Sequence, residues 1–425
     1  MDQSSDFFVS GVFADDARAL TAHVRQLPRQ AARSARELFL ASHVASVYAQ
    51  LTNHHTKQLR LAQLLVAANA LIDGLTPSAA ELAREAALPL AQQTGVAIDQ
   101  MLFIAQVLNH RESGEHLCRA MRAPRPDSLE RLAEFARSGL LVLPAASLER
   151  AGRACYLTLT RPEALNAEDE QSLDDVEIAV DLALLDAQAE IVVLRGAPIA
   201  KYGGQRAFCS GINLSRLQQG RIPPLWYLQR ELGVLHKIYR GLAVGEAQPE
   251  VFEQTLENPW IAQVERFAIG GGCQYLLVMD SIVAASDAYL SLPARREGII
   301  PGAANLRLPR FVGDRLARQL VLADRRIDCD SVEGRMICDQ VVAPGEVDAA
   351  VQALVEQLTS SGVVSFAANR RAFRLAQEPL ELFRRYMALY AREQAFCHFS
   401  PALSANLQAH WRPANRLDAA APDNS

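Results

Sequence analysis

The sequence predicts an α/β fold, with a central region of β-α units on a mainly parallel sheet between two helical regions. Three observations carry this. Before about residue 145 apolar residues recur at helical spacing; from Ala154 short β-prone runs alternate with a helical stretch; after about residue 346 helical spacing returns. We therefore expect a helical N-terminal domain over 1–145, an α/β core over 146–345 and a C-terminal helical region over 346–425. A chain of 425 residues exceeds what one hydrophobic core usually serves, which fits two or three packing units.

In the N-terminal region Leu38, Ala41, Ala45 and Tyr48 fall on one helical face, as do Leu61, Leu64, Leu65, Ala68, Leu71, Ile72 and Leu75. Such faces are apolar stripes that need a partner surface. Asp73-Gly74 breaks the second run, and Thr76-Pro77 restarts it with proline at the first helical position, where a missing N–H costs nothing. Ala123-Pro124-Arg125-Pro126-Asp127 punctuates the chain again, and no repeat of fixed period stands out. The β-prone runs are 155–159, 191–194, 261–264 and 282–285, with a helix expected over 176–185 between the first two. Further helices are expected over 351–358 and 369–397, and the tail 422–425 is expected to fray.

Composition excludes several classes. Half the residues are hydrophobic and 21% are charged, as in a soluble globular protein, and a net charge of -5 offers no broad attraction to nucleic acid. No basic segment followed by an apolar stretch opens the chain, and no run of eighteen apolar residues occurs, so neither a secretory leader nor a membrane span is expected. A cytoplasmic protein is the reading. Seven cysteines without a C-x-x-C pair suggest neither a disulfide framework nor a zinc site.

Two glycine turns carry the chemical signal. Gly270, Gly271 and Gly272 follow Phe267-Ala268-Ile269, read as the end of a strand, and precede the apolar stretch 275–279. A strand-to-helix turn without side chains lets backbone N–H groups approach a ligand at the positive end of a helix. By itself such a turn is equally well a tight structural bend. The segment 206–214, containing Ser210-Gly211-Ile212, places a second glycine beside exposed backbone, so two N–H groups could meet at one oxygen.

In this pair and two further segments the chain resembles the crotonase (enoyl-CoA hydratase/isomerase) superfamily. Phe208-Cys209-Ser210-Gly211-Ile212-Asn213-Leu214 is similar to its F-x-A-G-x-D-L turn, and Gly270-Gly271-Gly272-Cys273 and 298–303 to two other signatures. Arg161-Pro162-Glu163-Ala164-Leu165-Asn166-Ala167 resembles the R-P-x-x-x-N-A segment bordering the CoA site. The resemblance implies a spiral of β-β-α units with C-terminal helices that assemble a trimer or dimer of trimers. It also implies a thioester carbonyl held by the N–H groups of Ile212 and Gly271, which would stabilise an enolate.

The departures narrow the reaction. Where hydratases of this family carry their two catalytic glutamates this chain has Gln274 and Ala294. Neither residue exchanges protons near neutral pH, so hydration is disfavoured. The segments 271–275, 292–294, 297–307 and 383–390 are similar to the (3,5-dihydroxyphenyl)acetyl-CoA dioxygenase family of glycopeptide antibiotic pathways, which also carries a helical N-terminal extension. The resemblance implies conversion of that thioester and O2 to (3,5-dihydroxyphenyl)glyoxylate and CoA, with no cofactor. The chemistry is coherent: the benzylic carbanion of a 3,5-dihydroxyphenyl thioester is electron-rich enough to reduce O2 directly. Only His236 among nine histidines lies between residues 146 and 345, so the core cannot assemble a two-histidine iron site, and this one reads as a surface or packing residue.

Carried over residue by residue, the resemblance assigns the side chains of Arg230, Glu168 and Gln274 to the substrate, Arg230 and Gln274 as catalytic groups too, and adds Gly270 and Gly272, which flank the oxyanion turn, to the substrate site. On the residues alone Arg230 could equally be a solvated charge ahead of a helix, and Glu168 an acidic residue in a helix first turn. For CoA, the matching segments are Ile199-Ala200-Lys201-Tyr202 and Ser210-Gly211-Ile212-Asn213-Leu214-Ser215, Lys201 meeting a phosphate and Tyr202 the adenine or pantetheine. A shorter loop at 203–205 leaves the first of these loosely aligned. The N-terminal helices are expected to cover the pocket and exclude water. Alternatives are another crotonase acyl-CoA enzyme (a thioesterase, hydratase or decarboxylase) and a silent crotonase scaffold whose helices bind a protein.

Overall fold

A computed structural model describes residues 11–359 and 364–410; the expected frayed tail lies outside the described residues. The N-terminal region is helical throughout, from Gly11–Val24 to Pro126–Ser138. Its fourth helix, Ala79–Ala86, starts two residues beyond the predicted proline start. The Ser78 hydroxyl accepts the Glu81 N–H and the Glu81 carboxylate accepts the Ser78 N–H, a reciprocal cap that leaves Pro77 outside the helix. Pro126, by contrast, occupies the first turn of its helix.

Among the described residues the strands are β1 (Leu140–Val142), β2 (Ala146–Ala151), β3 (Ala154–Leu159), β4 (Ile191–Gly196), β5 (Leu242–Ala243) and β6 (Thr255–Leu256). They continue with β7 (Trp260–Val264), β8 (Phe267–Ile269), β9 (Ser281–Ala285), β10 (Tyr289–Ser291), β11 (Ile327–Asp328) and β12 (Gln340–Val342). The main sheet runs β1-β2-β3-β4-β7-β9-β12, antiparallel through β3 and parallel from β3 onward. A second sheet, β11-β10-β8, lies beside it. This is the expected arrangement, with all four β-prone runs in the main sheet as β3, β4, β7 and β9. Their nearly continuous apolar sequences follow from burial on both faces: every side chain of β7 is buried.

The C-terminal stretch expected as one helix over 369–397 is two, Val364–Gln377 and Leu380–His398, because Pro379 cannot continue the first. Helix Ile98–Asn109 packs against Leu380–His398, and Arg384 donates to the carbonyls of Leu108 and Asn109 at its end. The N-terminal region is also pinned by charge. Buried Lys237 lies 2.7 Å from Glu177 and 2.6 Å from Asp181; Arg60 and Arg125 reach the same Glu177, and Ser128 donates to Asp181. One hydrophobic core runs from Phe13 to Leu407.

Candidate active site

The site begins with Asn166. Leu165 and Asn166 take left-handed backbone angles, φ 56° and 55°, and the Asn166 amide repays this by donating to the carbonyls of Ala197 and Ala207 and accepting the Arg161 N–H. Glu168 then pairs with Ile212 in a parallel bridge: its N–H donates to the Gly211 carbonyl at 2.8 Å and its carbonyl accepts the Asn213 N–H at 2.7 Å. Cys209 pairs in the same way with Ala268. These bridges bring the two glycine turns together, so that a Cβ added to Gly211 would sit 3.1 Å from the Gly271 nitrogen. Gly271 opens the short helix Gly271–Leu276, where first-turn N–H groups lack intrahelical partners. The turns are therefore adjacent, as an oxyanion pair requires.

Arg230 does not precede a helix. It sits inside a continuous helical run over 225–240, at the start of a wide turn, Arg230–Leu235. It is 3% exposed, which rules out a solvated charge. Its Nε lies 2.9 Å from both Glu168 oxygens, Nη1 donates to Gln274 Oε1 at 2.8 Å, and Nη2 donates to the Gly271 carbonyl at 2.8 Å. Burial opposes its charge, but the Glu168 carboxylate and then Tyr275 beside it hold its pKa above the usual arginine value. Tyr275 completes the cluster: its hydroxyl donates to Glu168 at 2.8 Å and its ring lies 4.8 Å from the guanidinium. Glu168 lies in an irregular segment before the helix Leu173–Leu185, whose first turn carries Asp174 and Asp175 instead, so the helix-terminus reading fails. One network thus joins the three expected substrate residues to the second oxyanion turn.

The enoyl-CoA hydratase/isomerase family model matches residues 149–400. The chain belongs to this family. Among curated proteins it is 48% identical over 367 residues to (3,5-dihydroxyphenyl)acetyl-CoA 1,2-dioxygenase of Amycolatopsis orientalis, covering 85% of this chain and 83% of that one. It is 28% identical over 227 residues to short-chain-enoyl-CoA hydratase of Clostridium acetobutylicum, covering 53% of this chain and 79% of that one. In fold it resembles the crystal structure of an enoyl-CoA hydratase from Mycobacterium avium subsp. paratuberculosis K-10, with a TM-score of 0.53 at 22% identity, covering 64% of this chain and all of that one.

Within this crotonase the two turns and the arginine cluster enclose a cavity of about 30 Å3. It is lined by Ile212, Trp226, Tyr227, Arg230, Glu231, Gly271, Gln274, Glu297, residues 299–302 and Tyr390. That volume suits a water molecule, so an aromatic ring enters only if lining side chains move. Among the described residues none from the N-terminal helices lines this cavity. Among the described lining residues Tyr390, on the helix Leu380–His398, comes from outside the core, and the N-terminal helix Ile98–Asn109 packs on that helix. Sequence reasoning missed Glu231, Glu297 and Tyr390 as lining residues. Two of them are acids flanking segments already singled out, a signal that spacing alone does not distinguish from surface charge.

The segments expected at CoA lie next to the oxyanion turns. Ala200–Tyr202 forms a single helical turn, with Ile199 buried against Leu165, Ala207 and Phe267. Arg266 already covers the Tyr202 ring at 4.0 Å, and exposed Lys201 holds its Nζ 5.9 Å from the same ring. The Ser210 hydroxyl donates to the Ala164 carbonyl; Asn213 caps the helix Leu214–Gln218 and donates to Asp169; Leu214 is buried and Ser215 half-buried. His236 is a packing residue, fully buried with its ring 4.4 Å from Phe383. Among the described residues no group of three His, Cys, Asp or Glu side chains could hold a metal ion, and no helix is long and apolar enough to cross a membrane.

Proposed function

We propose that this crotonase converts (3,5-dihydroxyphenyl)acetyl-CoA and O2 to (3,5-dihydroxyphenyl)glyoxylate and CoA. The observation that carries the proposal is the buried Arg230–Glu168–Gln274 cluster on the Gly271 turn, in a chain 48% identical to a dioxygenase of that substrate. The thioester oxygen faces the N–H groups of Ile212 and Gly271, where preorganised donors contribute about 3 kcal/mol each to enolate stabilisation. Arg230, Glu168 and Gln274 receive a ring hydroxyl, with Gly270 and Gly272 keeping the turn free of side chains. Segments 199–202 and 210–215 hold CoA. Neither hydratase glutamate is present, so the carbanion is not committed to adding water; its electron density passes to O2 without a metal or cofactor. Both α-hydrogens leave carbon, one to the product carboxyl group and one to the CoA thiol, which balances the reaction.

The same reading treats 1–145 as an added helical domain, 146–345 as the crotonase core and 346–425 as the assembly region of a cytoplasmic trimer or dimer of trimers. Exposed Phe373 and Leu375 on the helix Val364–Gln377 support an assembly role for that region. The test is O2 consumption by chelator-treated protein given the thioester, with free CoA and α-keto acid followed in parallel. Uptake matching release of both products is expected. CoA release without O2 uptake would replace the proposal with a thioesterase, and no reaction would leave another acyl-CoA or a silent scaffold.

A further inference from the structure

Resting on that reading, we infer that Glu231 is the base that takes the α-proton. It follows Arg230 in the wide helical turn, is buried, and lines the same cavity as Ile212, Gly271 and Gln274. Its Oε1 lies 3.4 Å from Arg230 Nη1. Its Oε2 is buried without a hydrogen-bond partner among the described residues and pairs only by charge with Arg307 Nη1, 3.8 Å away. A buried carboxyl oxygen without a hydrogen bond costs stability, and one on a residue that lines the cavity beside both oxyanion turns is placed to take a proton.

Gly302 shows how tightly this carboxyl is placed. A Cβ there would sit 2.1 Å from Glu231 Oε1 and 2.7 Å from Gln274 Oε1, so the two side-chain heads converge over one residue whose place favours glycine. Gln274 occupies the place of a hydratase acid but cannot carry a proton, whereas its neighbour Glu231 can. The other acids are less suited. Both oxygens of Glu168 are taken by Arg230 and Tyr275, and neither oxygen of Glu297 is a buried atom without a partner.

In the step, the α-carbon–hydrogen bond breaks and an O–H bond forms on Oε2. The electron pair stays on the α-carbon, delocalised onto the thioester oxygen between the two turns. The proton afterwards leaves with the departing CoA thiolate, which restores the carboxylate. Burial raises the Glu231 pKa against the pull of Arg307, Arg230 and the Ala303 N–H, with Glu378 raising it further; Tyr386 and Tyr390 also face it. A higher pKa makes its anion a stronger base toward carbon.

The test uses full-length protein and (3,5-dihydroxyphenyl)acetyl-CoA in anaerobic D2O, with exchange of the α-protons followed by NMR. Glu231→Gln keeps size and polarity. We expect it to lower the exchange rate by about 10²-fold or more while thioester binding by calorimetry is retained. Wild-type exchange should rise with pH about a midpoint above the ordinary carboxylate value of about 4.3, a dependence the variant loses. Glu231→Asp, which keeps the charge but shortens its reach, should exchange slowly with the pH dependence preserved. Wild-type exchange rates in a folded Glu231→Gln protein, or in Glu231→Asp should Glu231→Gln not fold, would overturn the assignment, as would loss in Glu297→Gln instead. Exchange that depends on Glu231 in a protein that never consumes O2 would sink the dioxygenase reading and leave the base in place.

Discussion

Replacing Gly271 by alanine separates the oxyanion donor from the cluster behind it. The backbone N–H is kept, and Gly271 is not among the residues with positive φ, so alanine brings no backbone strain there. The new Cβ, however, would sit 2.4 Å from Glu168 Oε2 and 3.1 Å from Arg230 Nη2, against an ordinary contact of 3.4 Å or more. Relieving the closer contact moves the carboxylate by about 1 Å, the difference between those distances, and Arg230, 2.8 Å from that oxygen, must follow. Overpacking of this kind costs roughly 1–3 kcal/mol of stability. A displacement of about 1 Å at positioning residues lowers turnover by about 10²-fold. Steady-state O2 uptake should therefore show kcat/KM down by about that factor, with a modest loss of stability in denaturant titration. An analogue lacking the ring hydroxyls should be affected less, because the displaced groups are the ones assigned to the ring. Unchanged kcat/KM in the folded variant would refute the placement of Glu168 and Arg230 against the turn.

Arg230→Lys keeps the charge but not the fork, so one or more of its bonds to Glu168, Gln274 and the Gly271 carbonyl is lost; kcat/KM should fall by roughly 10- to 100-fold in the O2 assay. Lys237→Ala leaves Asp181 without its cation and Glu177 with Arg60 and Arg125 alone, and should cost about 3–5 kcal/mol in chemical denaturation. In the wild type burial works against the charge on Glu177, yet Lys237 and Arg60 hold its pKa down to about 2, a contribution present above the unfolded value and lost as pH falls through about 2. Without the lysine the folded pKa values rise, so the deficit of Lys237→Ala should be larger at neutral pH than near pH 4; a pH-independent deficit would contradict the pairing. Arg384→Ala leaves the Leu108 and Asn109 carbonyls unsatisfied and should cost about 1–3 kcal/mol, with faster proteolysis at the end of the helix Ile98–Asn109.

Much of this protein is legible in local sequence, because the relevant forces act over a few residues. The strands read as apolar runs since their side chains are buried on both faces, and the helices as stripes since each needs one covered face. The glycine turns are visible because bringing backbone to backbone excludes side chains, and together with segments 298–303 and 161–167 they carry the family resemblance. Tertiary structure decided what those segments do together. On sequence alone Arg230 is open between a solvated charge and a substrate ligand; the fold removes the first reading by placing Glu168, 62 positions earlier, and Gln274, 44 positions later, on its buried guanidinium. Pro77 lies outside its helix because Ser78 and Glu81 cap each other reciprocally, and the helix expected over 369–397 divides at Pro379. The role of the N-terminal region was reached only through packing: its helix backs the one bearing Tyr390, and its arginines close on Glu177. Periodicity reports which face of an element is covered; which partner covers it depends on contacts between residues far apart in the chain, and these arise only when the whole chain folds.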